Sequence, residues 1–291
     1  MVSSVDFPES PLGPVRQGSL AHYLNPAAII ESLWVNREMI WQFTRREVES
    51  RYRGSFLGIL WSLVNPLVQL SIYTFIFGVV LKSRWAKSNA DNLADFALVL
   101  FCGIIPFTIF SECASRASSL VISVPNYVKK VVFPLEILPL SVLGSAVFHA
   151  LVSLGVLLVA ILTVHRTVNL TLLLVPLVML PLLLLCLGLS WFLAGLGVFI
   201  RDVNQTVVLL VQMLFFLTPI FYSVEAVPAS FRPLIHLNPL TSIVENFRRV
   251  LLWDKPPNWG EFLLWLIFTA IMMILGFGWF MKTKRGFADV I

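Results

Sequence analysis

Charge is what this chain of 291 residues has least of. Asp, Glu, Lys and Arg make up 13% of it, about half of the roughly 25% usual in soluble domains. Hydrophobic residues make up 58%, and the mean hydropathy is +0.86. A soluble globule of this size needs a polar surface, and 21 basic plus 16 acidic side chains do not make one. A water-soluble enzyme, a disordered chain and a fibrous protein are therefore excluded at the start. The 15 Gly and 17 Pro carry no collagen-like period or low-complexity bias. Cysteine is scarce too. Cys102, Cys113 and Cys186 lie in or at the ends of apolar runs without metal-ligand spacing. Buried thiols are expected, rather than disulfides or a zinc site.

Catalytic signatures are missing as well. No GxxxxGK[ST] loop is present to cradle the phosphates of ATP. HExxH, GxSxG and a Gly-rich dinucleotide fingerprint are equally absent. No pair of carboxylates shares an aqueous loop in the way glycosyl transfer would need. Any work against a gradient must draw its energy from another polypeptide. The first thirty residues contain Pro8, Pro11, Pro14 and Pro26 and no apolar h-region. They read as a cytoplasmic extension, 1–31, rather than a signal peptide.

What is present is a series of long apolar runs. Gly54–Leu81, Phe96–Ser111, Ile137–His165, Thr167–Ile200, Val203–Val224 and Phe262–Met281 contain no Asp, Glu, Lys or Arg. A helix crosses the hydrocarbon layer with about 20 residues, and lipid offers no partner for an open backbone. The expected fold is an all-α integral membrane protein. Its six spans are placed near 56–81, 97–119, 137–164, 170–199, 204–222 and 261–281. The second run reaches full length only by including Glu112 to Ser119. In this arrangement 13 of the 21 Lys and Arg fall on one side and 8 on the other. Positive charge favours the cytoplasm, so both termini are expected there. The net charge of +5 comes from this bias. No basic stripe with interleaved aromatics argues for nucleic acid.

Three connecting segments carry a pattern. Leu33 to Tyr52 reads as an amphipathic helix within an interface element, 32–53. Trp34, Ile40, Trp41 and Phe43 lie on one side, with Glu38, Arg45, Arg46 and Glu49 opposite. Such a helix lies on lipid and presents its polar face to a cytoplasmic partner. Pro125 and Pro134 bracket a basic segment with Asn126, Tyr127, Lys129 and Lys130. A helix of about seven to nine residues is expected there, either as a docking element or as a solvated loop obeying the charge bias. Residues 223–258 are too long for a structureless loop. Their apolar pattern after Pro239 predicts two short helices dipping into the outer leaflet, where broken helices survive only against protein or water. No buried carboxylate or histidine chain crosses the spans, which argues against a proton-driven carrier. His149 stands alone in the third.

The run RYRGSFLGILWSLVNPL at Arg51–Leu67 resembles the signature of ABC-2 type polysaccharide export permeases. Tyr52, Arg53, Ser55, Leu57, Gly58, Leu60, Trp61, Pro66 and Leu67 carry the match. FIRDVN at Phe199–Asn204, LFFLTPIFY at Leu214–Tyr222 and LNPLTSIVENFRRVLL at Leu237–Leu252 are similar to further blocks of that family. The resemblance runs from about residue 32 to the end of the chain. It implies a homodimer paired with two ATP-binding subunits. ATP and Mg would sit on that partner, and this chain would hold no cofactor. The cargo would be a polyprenyl-linked polysaccharide crossing the bacterial cytoplasmic (inner) membrane.

The resemblance also makes the segment between the second and third spans a coupling helix, with Arg45, Arg46, Pro125, Asn126, Tyr127, Lys129 and Lys130 facing the ATPase. It implies re-entrant helices at an outer gate, with Arg248 and Arg249. An ion pair to Glu245 is the alternative role for those two. Sugar rings have apolar C–H faces, so a lane of aromatics would let a polymer slide. The candidates are Trp61, Tyr73, Phe77, Phe107, Phe110, Phe215, Phe216 and Tyr222, with Arg51 and Arg53 at the inner mouth. The expected substrate is of the O-antigen type, with capsular polysaccharide or teichoic acid as the alternative. A membrane enzyme acting on polyprenyl-linked sugars is the reading from another class.

Overall fold

The computed structural model describes residues 24–80, 93–129, 133–166 and 170–291. Among these every regular element is helical. Helix α1, Pro26–Val35, is capped by Asn25, whose side chain accepts from the Ala27 amide at 3.0 Å. Asn36 interrupts the chain, and α2 runs Arg37–Tyr52. The single interface helix expected from Leu33 is therefore two. Asn36 leaves the helical region with ψ near 11° and donates to the Ser32 carbonyl instead.

Gly54 and Gly58, with φ of +82° and +51°, then turn the chain. A Cβ would meet nothing within 4 Å at either position. The left-handed backbone, not close packing, is what glycine provides there. The first span follows as a 3-10 turn at Gly58–Leu60, α3 at Trp61–Tyr73 and a π-helical stretch at Thr74–Val80.

Helix α4 is Leu93–Ala117, and the short α5 is Pro125–Lys129. Helix α6, Leu138–His165, stops at Arg166, which is left-handed with φ 57°. Helix α7 is Val175–Phe199 and α8 is Val203–Leu217. Among the described residues five helical stretches are long and apolar enough to cross a membrane: Gly58–Val80, Leu93–Ala117, Leu135–His165, Leu170–Phe199 and Trp259–Val290. The run expected as a crossing over 204–222 is helical only through its 15-residue α8. That is about 22 Å at the rise of an α-helix. The helix ends because Thr218 precedes Pro219, and a residue before proline is pushed to extended backbone. Thr218 has ψ 134°. Residues 223–258 hold α9, Arg232–His236, and α10, Pro239–Leu251. Helix α11, Trp259–Thr283, leads to the terminal turn α12, Phe287–Val290.

Helix α4 is the hub. Its buried residues from Phe96 to Ala117 join those of α6, α7, α8 and α10 in one large core. A smaller core at one end, here the basal end, joins Ile29, Val121, Leu135, Trp191, Phe277, Phe280 and Phe287. The glycines of the fourth span serve packing inside the chain. A Cβ at Gly188 would stand 2.6 Å from the Met272 carbonyl oxygen, and one at Gly276 would collide with the Gly188 carbonyl. Gly197 lies against the Ser118 carbonyl in the same way. Small residues let helices approach closely in lipid, where packing drives association. All three cysteines are buried and free.

Candidate functional site

At the basal end α5 lies on the protein like a small exposed foot. Pro125, Asn126 and Lys129 are exposed, while Tyr127 is half-buried. The Tyr127 ring stacks on Phe133 at 4.7 Å between centroids and meets the edge of Phe43 from α2 at 6.0 Å. The Arg46 guanidinium donates to the Tyr127 hydroxyl at 3.2 Å and covers the Phe43 ring at 5.9 Å. Thus α5 and the polar face of α2 form one surface. Arg45 stays on that surface, paired with Glu49 at 2.7 Å. The described helix runs Pro125–Lys129, and the remainder of the seven to nine residues expected between the prolines falls partly on residues 130–132, outside the described residues. Lys130 lies outside the described residues. Beneath the foot, Lys284 bonds the buried Glu136 at 2.6 Å, and the Trp191 indole donates to the Glu136 carbonyl at 3.0 Å. The surface formed by α5 and α2 thus rests on a tied floor.

Above α2 a polar seam rises between the spans. Arg51 donates to both Glu112 oxygens at 2.9 Å. Arg116 bridges Glu112 at 3.6 Å and Glu47 at 2.6 Å. This network lines a cleft of about 470 Å³ with Ser50, Thr108, Ser111 and Ser115. A second cavity of about 220 Å³ shares Arg51, Thr108 and Glu112 with the first and continues between α3, α4 and α6. Its walls include Tyr52, Ser62, Asn65, Gln69, His149 and Ser153. The Tyr52 hydroxyl lies 3.1 Å from His149 Nδ1. Burial pushes the Tyr52 phenol above its ordinary range, so it stays a neutral hydroxyl. Of the two arginines expected at an inner mouth, Arg51 is neutralised by Glu112. Arg53 caps α2, exposed and without a hydrogen bond to another described residue.

Ser62, Asn65 and Gln69 escaped the reading of the sequence, although their spacing was available. Three polar residues at i, i+3 and i+7 in a charge-free run share one helix face. His149 was seen only as an isolated histidine, because its partner Tyr52 lies 97 residues away.

The aromatic candidates divide. Tyr73, Phe77, Phe215 and Phe216 gather around Phe221, at centroid distances of 5.4, 4.2, 5.0 and 6.2 Å. Phe107 joins through Phe215 at 5.0 Å and brings Phe110 at 6.1 Å. Phe107 and Phe110 are buried, as is Phe221, while Phe216 is exposed. Phe221 was missed because only the turn after α8 brings it inward. Tyr222 acts locally. Its hydroxyl donates to the Phe216 and Leu217 carbonyls at 3.1 Å and so caps α8. Trp61 stands apart from the cluster and donates to Ser55 at 2.9 Å.

At the end opposite the foot, Arg248 is fully buried. It donates to the carbonyls of Val99, Pro219 and Ile220 at 3.2, 2.7 and 2.9 Å, and to Glu245 at 2.9 Å. Gly103 makes room for it: a Cβ there would stand 2.7 Å from Nη2. The ion pair with Glu245 is thus one strand of a four-acceptor knot tying α10 to α4 and to the turn before Phe221. Arg249 does not pair with Glu245 and donates to the Pro256 carbonyl at 2.9 Å. Among the described residues no group of three His, Cys, Asp or Glu side chains offers a metal site.

Residues 38–252 match the ABC-2 type transporter family. The chain is 29% identical over 250 residues to the O-antigen export system permease protein RfbA of Klebsiella pneumoniae, covering 85% of this chain and 93% of the relative. It is 27% identical over 265 residues to a protein of the same name from Myxococcus xanthus, covering 90% and 99%. The polysialic acid transport protein KpsM of Escherichia coli is 24% identical over 235 residues, covering 79% and 88%.

Proposed function

Because the chain belongs to the ABC-2 type transporter family, we propose that it is the membrane half of an ATP-driven exporter moving a lipid-linked polysaccharide out of the bacterial cytoplasm. Two copies pair with two copies of a separate ATP-binding subunit in the inner membrane, with both termini cytoplasmic. The basal end then faces the cytoplasm, in keeping with the excess of Lys and Arg there. The observation that carries the reading is the exposed foot α5, braced on α2 by Arg46 and Tyr127. A subunit without its own phosphate loop needs a stiff, exposed element through which a motor can push. The names of the relatives favour an O-antigen type of cargo. The likeness to a protein named for polysialic acid transport supports a capsular polymer as the second reading.

The test is to replace Tyr127 and Lys129 with Ala in cells that carry the native polymer and the ATP-binding subunit. Insertion should hold and the partner should keep hydrolysing ATP. Surface polysaccharide should fall on the order of tenfold, the cost of truncating a docking hot spot. Undiminished export would remove α5 from the coupling path.

A further inference from the structure

The cavity of about 220 Å³ behind α3 holds polar groups that the protein leaves unused. The amides of Asn65 and Gln69 make no hydrogen bond with another described residue, and both side chains are exposed on α3. His149 Nε2 is buried and also without a hydrogen-bond partner. Because Nδ1 is taken by the Tyr52 hydroxyl, Nε2 is the ring nitrogen left unmatched, an acceptor or a donor according to the tautomer. Hydrocarbon penalises such groups by several kcal/mol each. Yet three elements each turn a polar stripe to one place: Ser62, Asn65 and Gln69 from α3, Thr108 and Glu112 from α4, His149 and Ser153 from α6. Packing alone does not ask for this convergence, and a hydrogen-bonding occupant accounts for it.

Charge and size identify the occupant. Arg51 and Arg116 are matched by Glu112 and Glu47, all in one network. No surplus positive charge is left there to hold a diphosphate, which would have to break these pairs. The volume corresponds to about seven waters at ~30 Å³ each, the size class of one pyranose ring. Unused amides and an unmatched imidazole nitrogen offer both donors and acceptors, as the hydroxyls of a sugar require. We infer that this cavity is a subsite for one uncharged, hydroxyl-bearing sugar unit, entered from the basal cleft through Arg51, Thr108 and Glu112. The inference rests on the export reading and places the sugar, not the lipid diphosphate, between α3 and α6.

Asn65→Leu with Gln69→Leu removes both amides at positions where Leu is welcome to lipid. In a strain that depends on this chain for its surface polysaccharide, the pair should lower export about tenfold while the amount of inserted chain holds. If the pair reduces insertion, Gln69→Met alone keeps the side-chain length and should still lower export several-fold. In inverted membrane vesicles, Gln69→Cys should react with a membrane-impermeant maleimide. Oligosaccharides cleaved from the strain's own polymer should slow that reaction, whereas inorganic diphosphate should not. Wild-type export by the Leu and Met variants, or labelling indifferent to the oligosaccharide, would mean a cavity that holds only water. Protection by diphosphate alone would reassign the site to the lipid headgroup. If deleting the whole chain leaves the surface polysaccharide intact, the export reading itself fails, and the subsite with it.

Discussion

Helices α3 and α4 are both apolar enough to cross a bilayer, but their surroundings differ completely. In the most apolar stretch of α4, 72% of residues are buried inside the protomer; in that of the first span none is. Helix α4 carries Leu100, Phe101 and Cys102 with almost no exposure, whereas α3 shows Leu63, Leu67, Val68 and Ile72 on its surface. In water such a contrast would be read from hydropathy. In lipid it is not, because hydrocarbon tails are as apolar as Leu. The structure therefore separates a buried scaffold from an exposed outer layer. The scaffold is α4, α7, α10 and α11, tied by Arg248 at one end and by close glycine contacts along its length. The outer layer is α3 with α8, which sends Val207 and Val211 into the core but leaves most of its surface open; it is aromatic at one end and polar at the other.

This contrast can be broken or sharpened by substitution. Arg248→Met should have the largest effect, leaving three backbone carbonyls and Glu245 without their donor. Losing one partner of such a buried network costs about 3–5 kcal/mol, and thermal unfolding in detergent should show it. Arg248→Lys should recover part of the loss. Phe101→Ala on α4 should cost about 3–5 kcal/mol through the cavity it opens. Gly188→Leu should follow with about 1–3 kcal/mol, because a side chain there must push α11 away at Met272. Leu67→Ala on α3, at a position 41% exposed, should change protomer stability by no more than about 0.5 kcal/mol. A large loss from Leu67→Ala in the isolated protomer would erase the distinction. If the loss is seen only in the assembled complex, a second copy covers α3.

The sequence disclosed the apolar runs, the prolines bracketing α5 and the aromatic segment after α8, since each is a local pattern. It did not disclose which runs bury which faces, for the reason just given. The break at Asn36 and the early end of α8 depend on single residues whose effect on backbone is short-range and easily overlooked among apolar neighbours. Arg248 and Arg249 looked alike in sequence. Only tertiary structure distinguishes Arg248, which binds carbonyls 28 to 149 residues away, from Arg249, which serves a local turn. The polar stripe on α3 was legible in principle from Ser62, Asn65 and Gln69, but it is interleaved with the apolar residues that follow Trp61.

The central claim is that this polypeptide moves a polymer and leaves the chemistry of ATP to a partner. The most direct measurement compares the purified chain alone with the chain co-purified with its ATP-binding subunit, in vesicles loaded with the lipid-linked polymer. The account predicts no nucleotide turnover and no change to the glycolipid by the chain alone, and ATP-dependent movement of polymer across the bilayer when the partner is present. Nucleotide turnover or glycolipid modification by the isolated chain would contradict it.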